Sequence, residues 1–201
     1  MVRTVLARSR RRLRAVVIGA SAGGFEALRV LLSKLSPDFR APVIVVLHSA
    51  ASEHTALAVS YSRISALPVS EAEERTRVEP GRVYVAPPGY HLLVEKNERF
   101  ALSVDDRVCF ARPSIDVLFE SAADVWRSTL AGVILTGAND DGARGLAAIR
   151  SYHGLAIVQS PQDAEAPEMP AAALKIAGAD HILKLDEIAA LLNRLTGAPS
   201  R

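Results

Sequence analysis

The chain is predicted to be an α/β protein, a doubly wound, mostly parallel sheet with helices on both faces and an inserted β-hairpin. Two observations predict it. Short apolar runs rich in β-branched residues recur without polar alternation, as strands buried on both faces require. Longer segments of helical period lie between them, and such alternation builds a parallel sheet covered by helices. Strands are expected at Ala15–Gly19, Val43–Leu47, Arg82–Ala86, Gly132–Leu135 and Leu155–Gln159. Helices are expected at Phe25–Lys34, Thr55–Ile64, Ile115–Trp126, Gly142–Ser151 and Glu187–Leu195. Ser114, after Pro113, is placed to cap the third of these. His91–Val94 and Phe100–Val104, joined around Lys96-Asn97-Glu98, form the hairpin.

The 201 residues suit one domain, since a chain of this size buries roughly 70% of its unfolded surface. A composition 49% hydrophobic and 23% charged is that of a globular protein. No apolar run approaches the roughly 20 residues that span a bilayer, so membrane insertion is not expected. The net charge is only +2, yet Arg3, Arg8, Arg10, Arg11, Arg12 and Arg14 all precede the first acid, Glu26. Residues 1–14 are therefore read as a solvated basic tail, followed by one domain over 15–197. Nucleic acid is not an expected partner, because the rest of the chain is nearly charge-balanced. Cys109 is the only cysteine, which rules out an internal disulfide and makes a reducing cytoplasm the simplest location. His48, His54, His91, His153 and His181 have no metal-ligand spacing, and neither metal nor organic cofactor is expected. All but His48 are read as surface or core residues.

Reactive groups collect at the carboxyl ends of parallel strands, so the residue after each apolar run matters most. Ser21 follows the first run, His48 the second, and Asp140-Asp141 the fourth. Gly19-Ala20-Ser21-Ala22-Gly23 fits G-x-S-x-G between a strand and a helix, the turn that presents a nucleophilic serine. The same residues also fit a phosphate-binding loop lacking its middle glycine, or a structural turn. A dinucleotide site would want an acid at the end of the second strand, where Leu47-His48 stands instead. A serine hydroxyl needs a base to take its proton, and that base needs an acid to orient it. His48 suits the first role. Asp140 and Asp141 both suit the second, the other being free to cap the following helix.

Taken together, these segments resemble the catalytic domain of the chemotaxis protein-glutamate methylesterases. Gly19-Ala20-Ser21-Ala22-Gly23-Gly24 matches the family's G-A-S-[TA]-G-G, and Val45-Val46-Leu47-His48 its strand ending in histidine. Leu135 through Gly145 is similar to L-T-G-M-G-N-D-G-A-x-G. Val83-Tyr84-Val85-Ala86-Pro87-Pro88, Arg112-Pro113-Ser114-Ile115-Asp116 and Met169-Pro170 follow in the expected order. The likeness runs from about Ala15 to Leu192. It implies Ser21 as nucleophile, His48 as base and Asp141 as acid, with the loops at Ala22 and Ala138 forming the oxyanion and substrate pocket. It also implies hydrolysis of glutamyl γ-methyl esters, and deamidation of glutamines, on the cytoplasmic domain of a methyl-accepting chemoreceptor. Another serine esterase, or a non-catalytic signalling scaffold of the same fold, are the alternatives.

The departures are local. Ala22 stands where threonine is common, Ser49 where methionine is common, Ala138-Asn139 where Met-Gly is usual, and Asp140 where asparagine is usual. Typical members carry an N-terminal phosphoacceptor domain. With about 14 residues before the first strand and a Met1 start, a free-standing member is expected, not gated by phosphorylation in cis.

Overall fold

The computed structural model describes residues 13–48 and 57–196. Nine strands and six α-helices alternate along these residues. The strands are β1 (Ala15–Ala20), β2 (Val43–Leu47), β3 (Val69–Glu71), β4 (Val83–Val85), β5 (His91–Val94), β6 (Phe100–Ser103), β7 (Leu130–Ile134), β8 (Leu155–Gln159) and β9 (His181–Leu183). The helices are α1 (Gly24–Ser33), α2 (Leu57–Ser62), α3 (Ile115–Trp126), α4 (Ala143–Ser151), α5 (Glu168–Ile176) and α6 (Leu185–Thr196).

Seven strands form one sheet in the order β3-β4-β2-β1-β7-β8-β9, and every neighbouring pair is parallel. β5 and β6 form the separate antiparallel hairpin. β1, β2 and β7 are buried at every residue, which their unbroken apolar sequences require of central strands. Alternate residues feed two cores. Val16, Ile18, Val43 and Val45 face α1, α2 and α6. Val17, Ile44, Val46 and Ile134 face α3, α4, α5 and the hairpin.

The chain leaves β1 toward β2 on one side and later returns through β7 on the other side. The crevice beyond the carboxyl ends of these three strands is thus the switch point where open α/β sheets place their ligands. α3 comes very close to it. A Cβ added to Gly19 would lie 2.3 Å from Ile115 Cγ2, so only glycine at the end of β1 lets the first residue of α3 rest on the sheet.

The structure adds three elements and moves one boundary. β3 and β9 are three-residue edge strands whose residues are only partly buried, too short to show a pattern in sequence. α5 carries Pro170 in its first turn, where proline is tolerated but where it reads as a helix breaker. Leu13 is 6% exposed within the core, and Arg14 donates its N–H to Thr129 C=O and pairs with Glu98. Both residues therefore belong to the folded body, not to the tail over 1–14, because chain entering a central strand is covered by its neighbours. Residues 1–12, and the expected start of a helix at Thr55, lie outside the described residues.

Gly19→Ala should push Ile115 off the sheet and destabilise the fold by about 1–3 kcal/mol, the usual cost of overpacking. The urea unfolding midpoint measures it, and a wild-type midpoint would refute the close-approach reading.

Candidate active site

Register brings the serine and histidine together. Ala20 pairs with Leu47, so Ser21 and His48 leave the sheet side by side on adjacent parallel strands. His48 N–H still donates to Ala20 C=O, and Ser21 N–H to Thr136 C=O, both at 3.0 Å. This second bond ties the serine turn to the loop after β7. Thr136 reinforces the tie, its Oγ1 donating to Ala22 C=O at 2.8 Å.

The acid comes from the other side. Asp141 Oδ2 lies 2.8 Å from His48 Nε2, and Asp141 is fully buried while Asp140 is exposed. In the usual Ser-His-Asp arrangement Nδ1 faces the acid, whereas here it is Nε2 that does so. Asn139 accounts for the remaining nitrogen. Its Oδ1 accepts the Asp141 N–H at 3.2 Å, so its Nδ2 is the group that faces His48 Nδ1, at 3.5 Å. A carboxylate on one side and an amide donor on the other select the tautomer with the proton on Nε2. Nδ1 then keeps the lone pair that a base acting on Ser21 needs.

Asp141 is held by the start of α3. Its Oδ1 accepts from Ser114 Oγ at 2.9 Å and from Asp116 N–H at 3.0 Å, and its Oδ2 accepts from Ile115 N–H at 2.7 Å. These are first-turn amides with no partner inside the helix, so a carboxylate satisfies both their hydrogen bonds and the helix dipole. Burial by itself pushes the Asp141 carboxyl up, but the bonds from His48, Asp116 N–H and Ile115 N–H together outweigh it. The group is held below the ordinary carboxylate range. Asp116 returns the favour to α4, accepting from Gly145 N–H at 2.7 Å and from Arg144 Nε at 3.0 Å. Burial dominates there and raises the Asp116 carboxyl. Gly142, at φ 93° between Asp141 and α4, makes the turn in a conformation that a side chain would strain.

Ala22 and Ala138 sit exposed on the two flanking loops. Ser49 and His54 lie outside the described residues. Among the described residues, only Cys109, Asp116 and Asp141 bring three metal-ligand atoms within 4.8 Å of one another. Each Asp141 oxygen already has two hydrogen-bond partners, and each Asp116 oxygen has one. Burial, with the nearby charges of Asp141, Asp140 and Asp116, raises the Cys109 thiol and keeps it a poor nucleophile.

Ser114 caps α3 as the sequence predicts. Its bond to Asp141, and the places of Asn139 and His91 at this site, have no counterpart in the sequence reading, which gives Asn139 as a loop departure and His91 as a surface or core residue. The one signal for Ser114 was its place in the Arg112-Pro113-Ser114-Ile115-Asp116 segment.

The sequence profile of the CheB methylesterase family matches residues 16–192. The chain belongs to this family. A Leptospira interrogans protein, provisionally named protein-glutamate methylesterase/protein-glutamine glutaminase, is 46% identical over 181 residues, covering 90% of this chain and 94% of that protein. A Symbiobacterium thermophilum protein of the same name is 38% identical over 184 residues, and there the chain spans only 51% of the relative's length. The crystal structure of the Thermotoga maritima CheB methylesterase catalytic domain superposes with a TM-score of 0.88 at 32% identity, covering 91% of this chain and 98% of that one.

Asp141 gives a pH prediction. Its folded-state value lies below the ordinary one, so the stability it contributes is present at neutral pH and lost as pH falls through that depressed value. Asp141→Asn should lower the urea midpoint at pH 7, and the gap to wild type should close below about pH 4, near the ordinary aspartate value. Exposed Asp140, changed to asparagine, should alter stability by less than about 0.5 kcal/mol. A pH-independent gap would refute the assignment.

Proposed function

We propose that the protein hydrolyses glutamyl γ-methyl esters on the cytoplasmic domain of a methyl-accepting chemoreceptor, with Ser21, His48 and Asp141 as its catalytic set. The observation that carries this is the bond between buried Asp141 and partly buried His48, with His48 and Ser21 at the ends of adjacent strands at the sheet's switch point. Family membership, and the names of relatives that match nearly the whole chain, support the substrate class.

In this reading His48 Nδ1 takes the Ser21 hydroxyl proton as Oγ attacks the ester carbonyl. The imidazolium that forms is stabilised by Asp141, whose own charge the α3 N-terminus holds in place. Backbone amides of the loops at Ala22 and Ala138 face the developing oxyanion, and the start of α1 adds its positive dipole end. His48 returns the proton to methanol as it leaves. Water, activated by the same histidine, then releases the glutamate and frees Ser21. A glutamine side chain enters by the same route with ammonia as the leaving group, as the glutaminase in the relatives' names would require. Among the described residues no helix is long and apolar enough to cross a membrane. The proposed receptor segment is cytoplasmic, and an enzyme acting on it works in the same compartment. The catalytic unit of this reading runs from β1 to α6, with Leu13 and Arg14 packed on it.

Ser21→Ala should fold as wild type and lose methanol release from methylated receptor by on the order of 10⁴-fold or more. Retention of a tenth of the wild-type rate would overturn the assignment of the nucleophile. Wild-type turnover of simple aryl esters without turnover of methylated receptor would instead favour a different ester substrate.

A further inference from the structure

A second histidine lies one step behind the acid. His91, on β5, is 1% exposed. Its Nδ1 accepts the backbone N–H of Ser114 at 3.2 Å, and its Nε2 lies 3.0 Å from the Asp106 carbonyl. A backbone N–H can only donate and a carbonyl can only accept, so His91 is the neutral tautomer with its proton on Nε2. Ser114 is the residue whose Oγ donates to Asp141, and the two amides that follow it also donate to Asp141. The bonds form a continuous path: Asp106 C=O, His91, Ser114, Asp141, His48.

We propose that His91 is a positioning residue for the reaction, acting through Ser114 to aim the α3 N-terminus, and with it Asp141, at His48. The proposal rests on the reading of Ser21, His48 and Asp141 as the catalytic set. Asp141 has no other anchor of comparable rigidity. Its own peptide belongs to a loop, and three of its four carboxylate partners come from Ser114, Ile115 and Asp116. The N-cap peptide therefore sets where the carboxylate sits, and His91 is the group on the hairpin side that receives that peptide's N–H. The hairpin is braced on α3 a second time, Val94 N–H donating to Ser121 Oγ at 3.2 Å. Removing the imidazole acceptor leaves a buried N–H unpaired at the cap, and the chain can satisfy it only by shifting.

The test compares His91→Leu, which removes the acceptor, with His91→Asn, whose side-chain oxygen can replace Nδ1, and with Ser114→Ala. Each is read by kcat and KM for methanol release from methylated receptor. Each is also read by the low-field N–H proton resonance of His48 in the substrate-free enzyme. Urea unfolding serves as the folding control. His91→Leu and Ser114→Ala should cut kcat by about ten- to a hundredfold, as for a displaced catalytic group, with KM within about twofold. Both should move or broaden the His48 resonance, and His91→Asn should recover most of the rate and the wild-type resonance. If His91→Leu does not fold, Ser114→Ala and His91→Asn still decide.

An unchanged kcat in folded His91→Leu or Ser114→Ala would overturn the proposal. So would a loss shared equally by His91→Asn and His91→Leu with the His48 resonance unmoved, which marks plain packing. The resonance is recorded without substrate, so it reports on the positioning path even if the receptor-ester reading fails. That separate failure would appear as wild type and Ser21→Ala releasing methanol at the same rate.

Discussion

A buried carboxylate on the N-terminus of a helix is the interaction on which the rest of this structure depends. Asp141 sits where α3 presents unpaired amides, and without that seat a fully buried aspartate would be driven toward its neutral form. The His48 bond and the amides together keep it ionised, and ionised it can hold the Nε2 proton of His48. The same contact has a mechanical side. Asp141 belongs to the loop that starts α4, so fastening it to α3 fixes two helices against each other on one face of the sheet. Asp116 closes the loop in reverse, leaving the first turn of α3 to accept from Gly145 at the start of α4. Each helix thus supplies the carboxylate that the other's N-terminus needs.

That reciprocal capping explains several sequence choices at once. Gly145 lies where a Cβ would strike Phe119, and Gly19 lies where one would strike Ile115. Both are absences of side chain that let α3 come close enough to reach Asp141. The all-parallel sheet provides the other half of the site, because β1, β2 and β7 must end together if they are neighbours with a common direction. Serine, histidine and acid then arrive at one crevice from three separate stretches of chain. No single stretch encodes the site.

Asn139 gives the loop after β7 a particular character. It stands at a position where the resemblance led one to expect glycine, and its carboxamide spans Asp141 N–H and His48 Nδ1. The 3.5 Å approach to Nδ1 is long for a hydrogen bond, so the carboxylate at 2.8 Å from Nε2 is what fixes the ring.

By itself the sequence determined the α/β class, the central strands, the hairpin and the three segments that meet at the candidate site. Central strands are legible because burial on both faces imposes an unbroken apolar run, as in Ala15–Ala20 and Val43–Leu47. The serine is legible because its turn demands small neighbours. Edge strands such as β3 and β9 were not, since three partly buried residues carry no periodicity. The choice between Asp140 and Asp141 rested on a motif, because adjacent residues on a loop have equivalent chemistry until something fixes which one points inward. That something is α3, 25 residues away in sequence from Asp141 at Asp116. The ring orientation of His48, and the path through Ser114 to His91, were likewise decided only by the fold. They depend on which donors and acceptors happen to meet, and hydrogen-bond partners so far apart along the chain leave no local pattern to read.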